Sequence, residues 1–577
     1  MSVLRQDTHR RGLFPCRPAA ILVLEILHQL LPYLPLFCLR LLLSCVQASA
    51  LLLDKINLSS SKIVLFLFSL SAVKSLTKEP IQPSKISGRV SLLSNEQRGG
   101  GMYEKIIEAG LIFLLIYTPL AFGGVSPRAT TVMEIVIGGL LLVWLTKMLA
   151  ARRQQQAHSH VLTRQNSALQ LVVPSVALLL GLFMLLVVLQ RVPLPRWLVH
   201  LVSPSTFRAY NEAARLTDSA LPAWLPLTIR SQATDQALAV LWAYGAVFLL
   251  ILNNLRSPRQ MKRLVYIMIA VGVGESLYGL LEYLSGHHHI YFYPKQSSFS
   301  VSGTFVNRNH FAGYMAMVIP LTFGVLFVRL EDRSQTVTRR LVRFFDEKYM
   351  KAVLIGFLVL VMVGAELLSG SRGGVVSFAC GMLTLLVLGY RRRLLRKKTV
   401  IVLLLLLVAA GGAVFAGHDL IVSRLHTLTQ LESEVSFQLR QEFWRSALAI
   451  FSDFPMLGSG LGTFPHLFPR YQTFRSDLRV LYAESDYLQL LAETGVIGFG
   501  CVLGMGVLFF ATTFRAWRRR RSRWSVVMGV SGMSAIVSIL VHSGVDFNLH
   551  IPANALVFTM IAALSMVAAQ SHRRSPR

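Results

Sequence analysis

Residues 169–189 read LQLVVPSVALLLGLFMLLVVL, a run without a single charged side chain. An α-helix needs about 20 apolar residues to cross the hydrocarbon core of a bilayer, so this run predicts a membrane span. The whole chain of 577 residues repeats the pattern, with 53% hydrophobic and only 15% charged residues. A soluble globular protein carries about 25% charged residues. The composition therefore predicts an all-α polytopic membrane protein and excludes a cytosolic enzyme, a disordered chain and a secreted disulfide scaffold.

Twelve apolar runs follow Met102. They cover approximately residues 106–122, 130–149, 169–190, 237–253, 264–284, 311–328, 352–368, 375–390, 399–416, 495–514, 525–541 and 552–569. Alternate connections, with the C-terminal tail, hold 29 Lys and Arg, whereas the four short connections between them hold 4. The positive-inside rule places the basic set in the cytoplasm. It also accounts for the net charge of +30, so no nucleic-acid partner is expected.

The same reading gives the domain organisation. We expect an N-terminal extension with apolar segments over 1–101, transmembrane helices 1–9 over 102–416, a large helical periplasmic loop over 417–494, and transmembrane helices 10–12 with a basic cytoplasmic tail over 495–577. The extension is open to three interpretations: a real hairpin, an uncleaved targeting segment, or a mis-assigned start. The last is favoured because codons for the Arg-Gly-Gly-Gly that precedes Met102 can form a ribosome-binding site.

Polar residues that are unusual for such a chain fall mainly on the outer side. Residues 303–314 read GTFVNRNHFAGY and contain Asn307, Arg308 and Asn309. Of these, we expect Asn309 to cap the following helix. Residues 369–374 read SGSRGG and place Arg372 between two spans. Both clusters have a structural alternative, as helix caps and as arginines that extend to lipid phosphates.

Two further clusters lie in the long loop and near the C-terminus. The loop contains Arg440 and Arg445 in RQEFWR, the glycine-rich residues 455–462 (PMLGSGLG), and Glu484, Asp486 and Tyr487 in ESDYLQLLAETG. The outer turn 542–548 reads HSGVDFN and contains Asp546. The glycines predict a tight turn rather than a nucleotide loop, because no strand precedes them.

Topology predicts that three of these clusters form one site. The helices that begin near 311, 375 and 486–495 all run from outside to inside, so their N-termini point outward. A helix N-terminus attracts anions, and Arg binds phosphate through paired hydrogen bonds. We therefore expect Arg308, Arg372 and Arg440 to form an anion site at the outer membrane surface, suited to a lipid-linked pyrophosphate.

The order of these motifs, NRNHFAGY, SGSRGG, RQEFW, P-x-x-G-x-G-x-G, ESDYLQLLAETG and VDFNLHIPA, resembles the O-antigen ligase family over roughly residues 102–570. The resemblance implies a GT-C-like glycosyltransferase of the bacterial inner membrane with its active site facing the periplasm. Such an enzyme transfers a glycan from undecaprenyl pyrophosphate to an acceptor, lipid A-core or a growing polysaccharide, with inversion and without metal or other cofactor. Related members polymerise O-antigen or exopolysaccharide repeats.

The resemblance also implies roles for individual residues. Arg372 and Arg440 match the two arginines implicated with the pyrophosphate, while Glu484 stands where the ligases carry a His. A Glu with an unperturbed pKa near ~4.3 is ionised at neutral pH and can act as a base, but it cannot act as a cation. We therefore expect Glu484, Arg372 and Arg440 to be catalytic. Substrate contacts are expected from Arg308, Asn307, Asn309, Arg445, Asp486, Tyr487 and Asp546.

Two other classes of function are compatible with the composition. A transporter or flippase for the same lipid-linked glycan should carry charge through a mid-membrane cavity, whereas here the arginines gather at one face. A non-catalytic membrane scaffold is the third possibility. The departure at Glu484 leaves ligase and polymerase open within the enzyme interpretation.

Overall fold

In the computed structural model, the described residues are 90–158, 172–255, 257–287, 289–295, 300–330, 347–391, 405–406, 409–410, 435–473 and 479–570. The chain divides into two compact units, Met1–Leu92 and Leu93–Arg577, and the site described below belongs to the second. The predicted segments within residues 1–89, most of the predicted span 399–416, and the tail after residue 570 lie outside the described residues.

The described residues form fifteen α-helices and four two-residue strands. The helices are α1 (Val90–Leu120), α2 (Pro127–His158), α3 (Ser175–Arg191), α4 (Arg196–Val202), α5 (Pro204–Leu216), α6 (Ser231–Asn254), α7 (Pro258–Leu284), α8 (Arg308–Arg329), α9 (Glu347–Leu368), α10 (Arg372–Arg391), α11 (Val435–Asp453), α12 (Phe464–Tyr471), α13 (Asp486–Arg518), α14 (Arg523–His542) and α15 (Pro552–Gln570). Strands β1 (Leu194–Pro195) and β2 (Trp224–Leu225) pair antiparallel, as do β3 (His289–Ile290) and β4 (Tyr293–Pro294).

The prediction of an all-α polytopic membrane protein is confirmed. Nine helices in the described part of the chain are long and apolar enough to span a membrane, namely α2, α6, α7, α8, α9, α10, α13, α14 and α15. Each matches one predicted span. The predicted span 169–190 is the shorter apolar helix α3. The predicted span 106–122 falls in α1, whose Glu108 Oε1 accepts a hydrogen bond from Arg263 Nε at 2.6 Å.

Three helices form the centre of the bundle. The apolar segments of α8, α15 and α14 are 94%, 89% and 83% buried, whereas that of α2 is 17% buried. Helix α14 packs against both α8 and α10. Small residues permit this close packing, because a side chain on Gly324 of α8 would collide with Ser531 and one on Gly381 of α10 with Ser538.

Helix α13 begins earlier than the predicted span 495–514. It runs from Asp486 to Arg518 across a kink at Gly495, whose φ is 63° and ψ −171°. A glycine adopts this backbone conformation without a steric penalty, so the helix continues after the break. Its first nine residues, 486–494, therefore precede the predicted span and form most of the sequence motif ESDYLQLLAETG.

Candidate functional site

A cavity of about 1330 Å³ lies at one end of the helix bundle. Its lining residues come from the start of α2, the β3–β4 hairpin, the start of α8, the turn between α9 and α10, and the turn after α14. Arg308, Arg372 and Arg440, predicted to meet at one anion site, all line this cavity. Arg128 and Lys295, which sequence reasoning missed, line it as well.

Three helix N-termini meet at the cavity. Helix α10 is capped as predicted, since Ser371 Oγ accepts a hydrogen bond from Gly374 N at 3.1 Å. Helix α8 is capped by Asn307, whose side chain accepts from Asn309 N at 2.9 Å, so the predicted cap at Asn309 was wrong. The third N-terminus belongs to α2, which begins beside Arg128. The start of α13 was predicted in this position, but its residues do not line the cavity. Each N-terminus carries the partial positive charge of its helix dipole, which favours an anion.

Asp546 lies at the centre of a buried charge cluster on the cavity wall. Its Oδ2 accepts from Asn309 Nδ2 at 2.8 Å and lies 3.3 Å from Arg440 Nη2, while its Oδ1 lies 3.4 Å from His310 Nε2. Burial alone would raise the pKa of Asp546, but the hydrogen bond and charge of His310, with His542 and Arg440, lower it to about 2. Asp546 is therefore an ionised anchor for Arg440.

Glu484 shares Arg440 with Asp546. Its Oε2 lies 3.0 Å from Arg440 Nη2, and its side chain is 22% exposed. Burial and the neighbouring Asp546 raise the pKa of Glu484 to about 7, although Arg440 lowers it. The expectation that Glu484 is fully ionised at neutral pH therefore does not hold: at that pH it exchanges a proton readily, which suits a general base.

The backbone of Glu484 is strained. Its φ is +54°, in the left-handed region that a glycine would adopt without cost. Trp444 Nε1 donates a hydrogen bond to the Glu484 carbonyl at 3.2 Å and helps to hold this conformation. Such strained residues concentrate at functional sites.

The remaining predicted substrate contacts fall away from the cavity lining. Both oxygens of Asp486 are engaged, with His550 Nδ1 at 2.7 Å and Leu549 N at 3.0 Å. The hydroxyl of Tyr487 donates to the Leu540 carbonyl. These two residues hold the start of α13 against the turn after α14. Arg445 is 67% exposed and pairs with Glu442 on its own helix.

The glycines of the SGSRGG turn make room for two buried polar side chains. A Cβ on Gly373 would lie 3.1 Å from the His542 ring, and one on Gly374 would lie 2.9 Å from Glu366 Oε1. Both side chains are fully buried, and within the described residues neither ring nitrogen of His542 and neither oxygen of Glu366 has a hydrogen-bond partner. The motif pattern did not identify their role, because the burial of both side chains against the glycines depends on how the helices pack.

The glycine-rich residues 455–462 form a turn, as predicted. Gly458, Gly460 and Gly462 all have positive φ, at 72°, 113° and 81°. Gly462 N and Phe464 N donate to the buried carboxylate of Glu493 at 2.8 and 3.0 Å. The turn therefore binds a side chain of α13 and has a structural role.

Comparison with known families covers the centre of this site. Residues 357–503 match the family model described as O-antigen ligase. Over this segment the chain is similar to the O-antigen ligase family. The matched segment contains Arg372, Arg440 and Glu484, and it supports a function of the O-antigen ligase or polymerase kind in a multi-pass membrane protein. No curated protein matches the chain.

Proposed function

We propose that this protein is a member of the O-antigen ligase family and transfers a glycan from undecaprenyl pyrophosphate to an acceptor hydroxyl, with inversion and without a metal ion. The observation that carries the proposal is the cavity itself. It joins Arg308, Arg372 and Arg440 to three helix N-termini, and Arg440 is 3.0 Å from the half-buried carboxylate of Glu484, whose backbone is strained. Cations and N–H groups suit a pyrophosphate leaving group, and the carboxylate suits an attacking hydroxyl.

The chemistry can be assigned to atoms. The acceptor hydroxyl gives its proton to a Glu484 carboxylate oxygen while its own oxygen attacks the anomeric carbon of the donor. The bond between that carbon and the pyrophosphate oxygen breaks on the opposite face, which inverts the configuration. Arg372 and Arg440 stabilise the negative charge that develops on the leaving pyrophosphate. Because Glu484 is 22% exposed, it can return its proton to solvent after transfer.

Proton transfer to Glu484 also affects Arg440. A neutral Glu484 attracts the guanidinium less strongly than a carboxylate does. The acceptor proton therefore weakens the Glu484–Arg440 ion pair at the moment when the leaving group gains charge. In this mechanism the shared arginine couples the two halves of the reaction.

The identity of the acceptor separates two enzymes. A ligase would use lipid A-core, and a polymerase would use a growing polysaccharide. Polymerase is the second candidate. The ligases carry a His where this chain has Glu484, and a carboxylate cannot neutralise negative charge as a protonated His can, so the chain departs from the ligase pattern here. A transporter of the same lipid-linked glycan is less well supported, since Arg308, Arg372 and Arg440 line a cavity at one end of the bundle and not a mid-membrane passage.

The test is a transfer assay with the full chain in lipid vesicles and a purified undecaprenyl-pyrophosphate-linked glycan. One arm adds lipid A-core, and the other adds no acceptor beyond the donor glycan itself. A covalent glycan–lipid A product supports ligation, and lengthening of the lipid-linked glycan supports polymerisation. If neither product forms while labelled donor crosses the bilayer, the enzyme proposal is wrong and transport replaces it.

The side of the membrane needs its own test. We propose the inner membrane, with the cavity facing the periplasm, because the basic connections lie at the other end of the spans. Ser452 is exposed on α11, so a Ser452→Cys variant should react with a membrane-impermeant thiol reagent in intact spheroplasts. Reaction only after lysis would reverse the topology. The unsubstituted chain, with Cys380 and Cys501 only partly exposed among its described cysteines, is the control.

A further inference from the structure

A cluster of aromatic side chains borders the cavity and has no part in the chemistry above. It consists of Phe122, Tyr278, Tyr291, Phe292 and Tyr293, here called the aromatic rim. Phe122 and Tyr293 line the cavity beside the cations. The Phe122 ring packs edge-on against both Tyr291 and Tyr293, with centroids 5.6 Å apart in each case.

The backbone of the rim is strained at two positions. Strands β3 and β4 pair His289 with Pro294 and Ile290 with Tyr293, so Tyr291 and Phe292 form a two-residue hairpin loop. Such loops favour Gly and Asn because they need positive φ. Here Tyr291 has φ +56°, and Phe122 has φ +60°. An aromatic residue in this conformation is costly, and retained strain of this kind points to a function.

The rim lies at the end of α1 and against α7. The Tyr291 hydroxyl donates to the carbonyl of Leu120, the last residue of α1, at 2.9 Å, and the Tyr278 hydroxyl of α7 accepts from Tyr291 N at 2.8 Å. On the same α7, Leu281 and Leu284 are 68% and 66% exposed. In a membrane protein such apolar surface faces lipid. The rim is therefore placed between the lipid-facing ends of α1 and α7 and the cation-lined cavity.

Ring faces bind both sugars and hydrocarbon chains, and the exposed leucines of α7 beside the rim favour the hydrocarbon chain. Two of its hydroxyls are occupied by backbone hydrogen bonds, so what it presents is mainly ring surface. Phe292, at the hairpin tip, is 93% exposed. A simple membrane anchor would explain Phe292, but it would not require Phe122 and Tyr293 to face the cavity.

We propose that the aromatic rim binds the polyprenyl chain of the lipid-linked donor, at the point where the chain passes from the bilayer to the pyrophosphate. This inference rests on the proposed function, because it takes the cations of the cavity as the pyrophosphate site. The rim adds a second binding element, which contacts the isoprene units nearest the pyrophosphate. The affinity for the donor therefore depends on its hydrocarbon chain as well as on the charge of its pyrophosphate.

The test uses sugar-free probes, so that contacts with the glycan play no part. Inorganic pyrophosphate, farnesyl pyrophosphate and undecaprenyl pyrophosphate are titrated against the full chain in lipid nanodiscs. We expect affinity to rise from the first probe to the prenylated ones. Phe292→Ser and Tyr293→Ser should each lower the affinity for undecaprenyl pyrophosphate about tenfold, because apolar contact is lost. The affinity for inorganic pyrophosphate should change by less than about twofold.

Trp224→Ser is the matched control. Trp224 is also an exposed aromatic residue, at 61%, in the other two-stranded sheet, and it does not line the cavity. Its substitution should change the binding of none of the three probes. Because Phe292 and Tyr293 are themselves exposed, their variants should melt at the temperature of the unsubstituted chain.

The outcomes separate this inference from the proposed function. Wild-type binding of inorganic and prenylated pyrophosphates with equal affinity would overturn the role of the rim and leave the pyrophosphate site intact. Unchanged binding of undecaprenyl pyrophosphate by both rim variants would also overturn the role of the rim. If those variants then transferred glycan more slowly, the rim would contact the sugar or the acceptor instead. Failure of the unsubstituted chain to bind any pyrophosphate would overturn the proposed function itself.

Discussion

Glu484 and Glu493 lie nine residues apart at the same end of α13, and their surroundings differ. Glu493 is 1% exposed, and its oxygens accept hydrogen bonds from Gly462 N, Phe464 N and Gln489 Nε2. Glu484 is 22% exposed, shares one arginine with Asp546 and sits on a strained backbone. Neutral donors hold Glu493 in a structural role. The cation beside Glu484 is Arg440, which a substrate can also bind. This exchangeable partner suits Glu484 to a catalytic role.

The first prediction tests the chemical side of this comparison. Glu484→Gln keeps the shape of the side chain and removes its basicity, so transfer should fall by about 10²–10⁴-fold. In the unsubstituted chain at limiting donor concentration, the rate should rise with pH through about 7, because the carboxylate form is the base and its pKa in the donor-free chain is raised to about 7. A reconstituted transfer assay from pH 5.5 to 8.5 measures both. A wild-type rate in Glu484→Gln would remove the residue from the mechanism.

The second prediction concerns the cations. Arg372→Ala should reduce transfer by about 10²–10³-fold, the usual effect of removing one preorganised donor to a developing anion. Arg372→Lys keeps the charge and loses the planar fork, so it should recover only part of the rate. Quantifying membrane-inserted protein alongside the rate separates catalysis from folding. Full transfer by Arg372→Ala would show that the pyrophosphate binds elsewhere.

The third prediction concerns the structural carboxylate. Glu493→Gln replaces one acceptor oxygen by a donor, which leaves Gly462 N or Phe464 N without its partner at a cost of about 1–3 kcal/mol. Thermal melting in nanodiscs should show a lower midpoint, with an unchanged transfer rate per folded molecule. A rate loss as large as that of Glu484→Gln would erase the distinction drawn between the two residues.

The smallest effect is expected at Arg445. It is 67% exposed and pairs with Glu442 on the same helix, and exposed ion pairs contribute about 0–1 kcal/mol. Arg445→Ala removes the same charge as Arg440→Ala from the same helix, so it serves as the matched control. Its transfer rate should stay within about twofold. A large loss would extend the substrate site along α11.

Sequence reasoning located the arginines better than it described their surroundings. Apolar runs and basic connections fix which helix ends share a face, and that was enough to bring Arg308, Arg372 and Arg440 together. The N-terminus of α2 was missed, because the loop before Arg128 carries no polar motif and helix neighbours in a bundle are set by packing. The raised pKa of Glu484 comes from burial beside Asp546, a residue 62 positions away, so no local pattern could reveal it.

The arginine shared by Glu484 and Asp546 links donor binding to protonation. A pyrophosphate that shares Arg440 with Glu484 adds negative charge beside this carboxyl, which raises its pKa further and favours the uptake of a proton. By reciprocity, the affinity for pyrophosphate increases as the pH falls through the range in which Glu484 titrates. Calorimetric titration with pyrophosphate in two buffers of different ionisation enthalpy would measure this proton, and Glu484→Gln should abolish it.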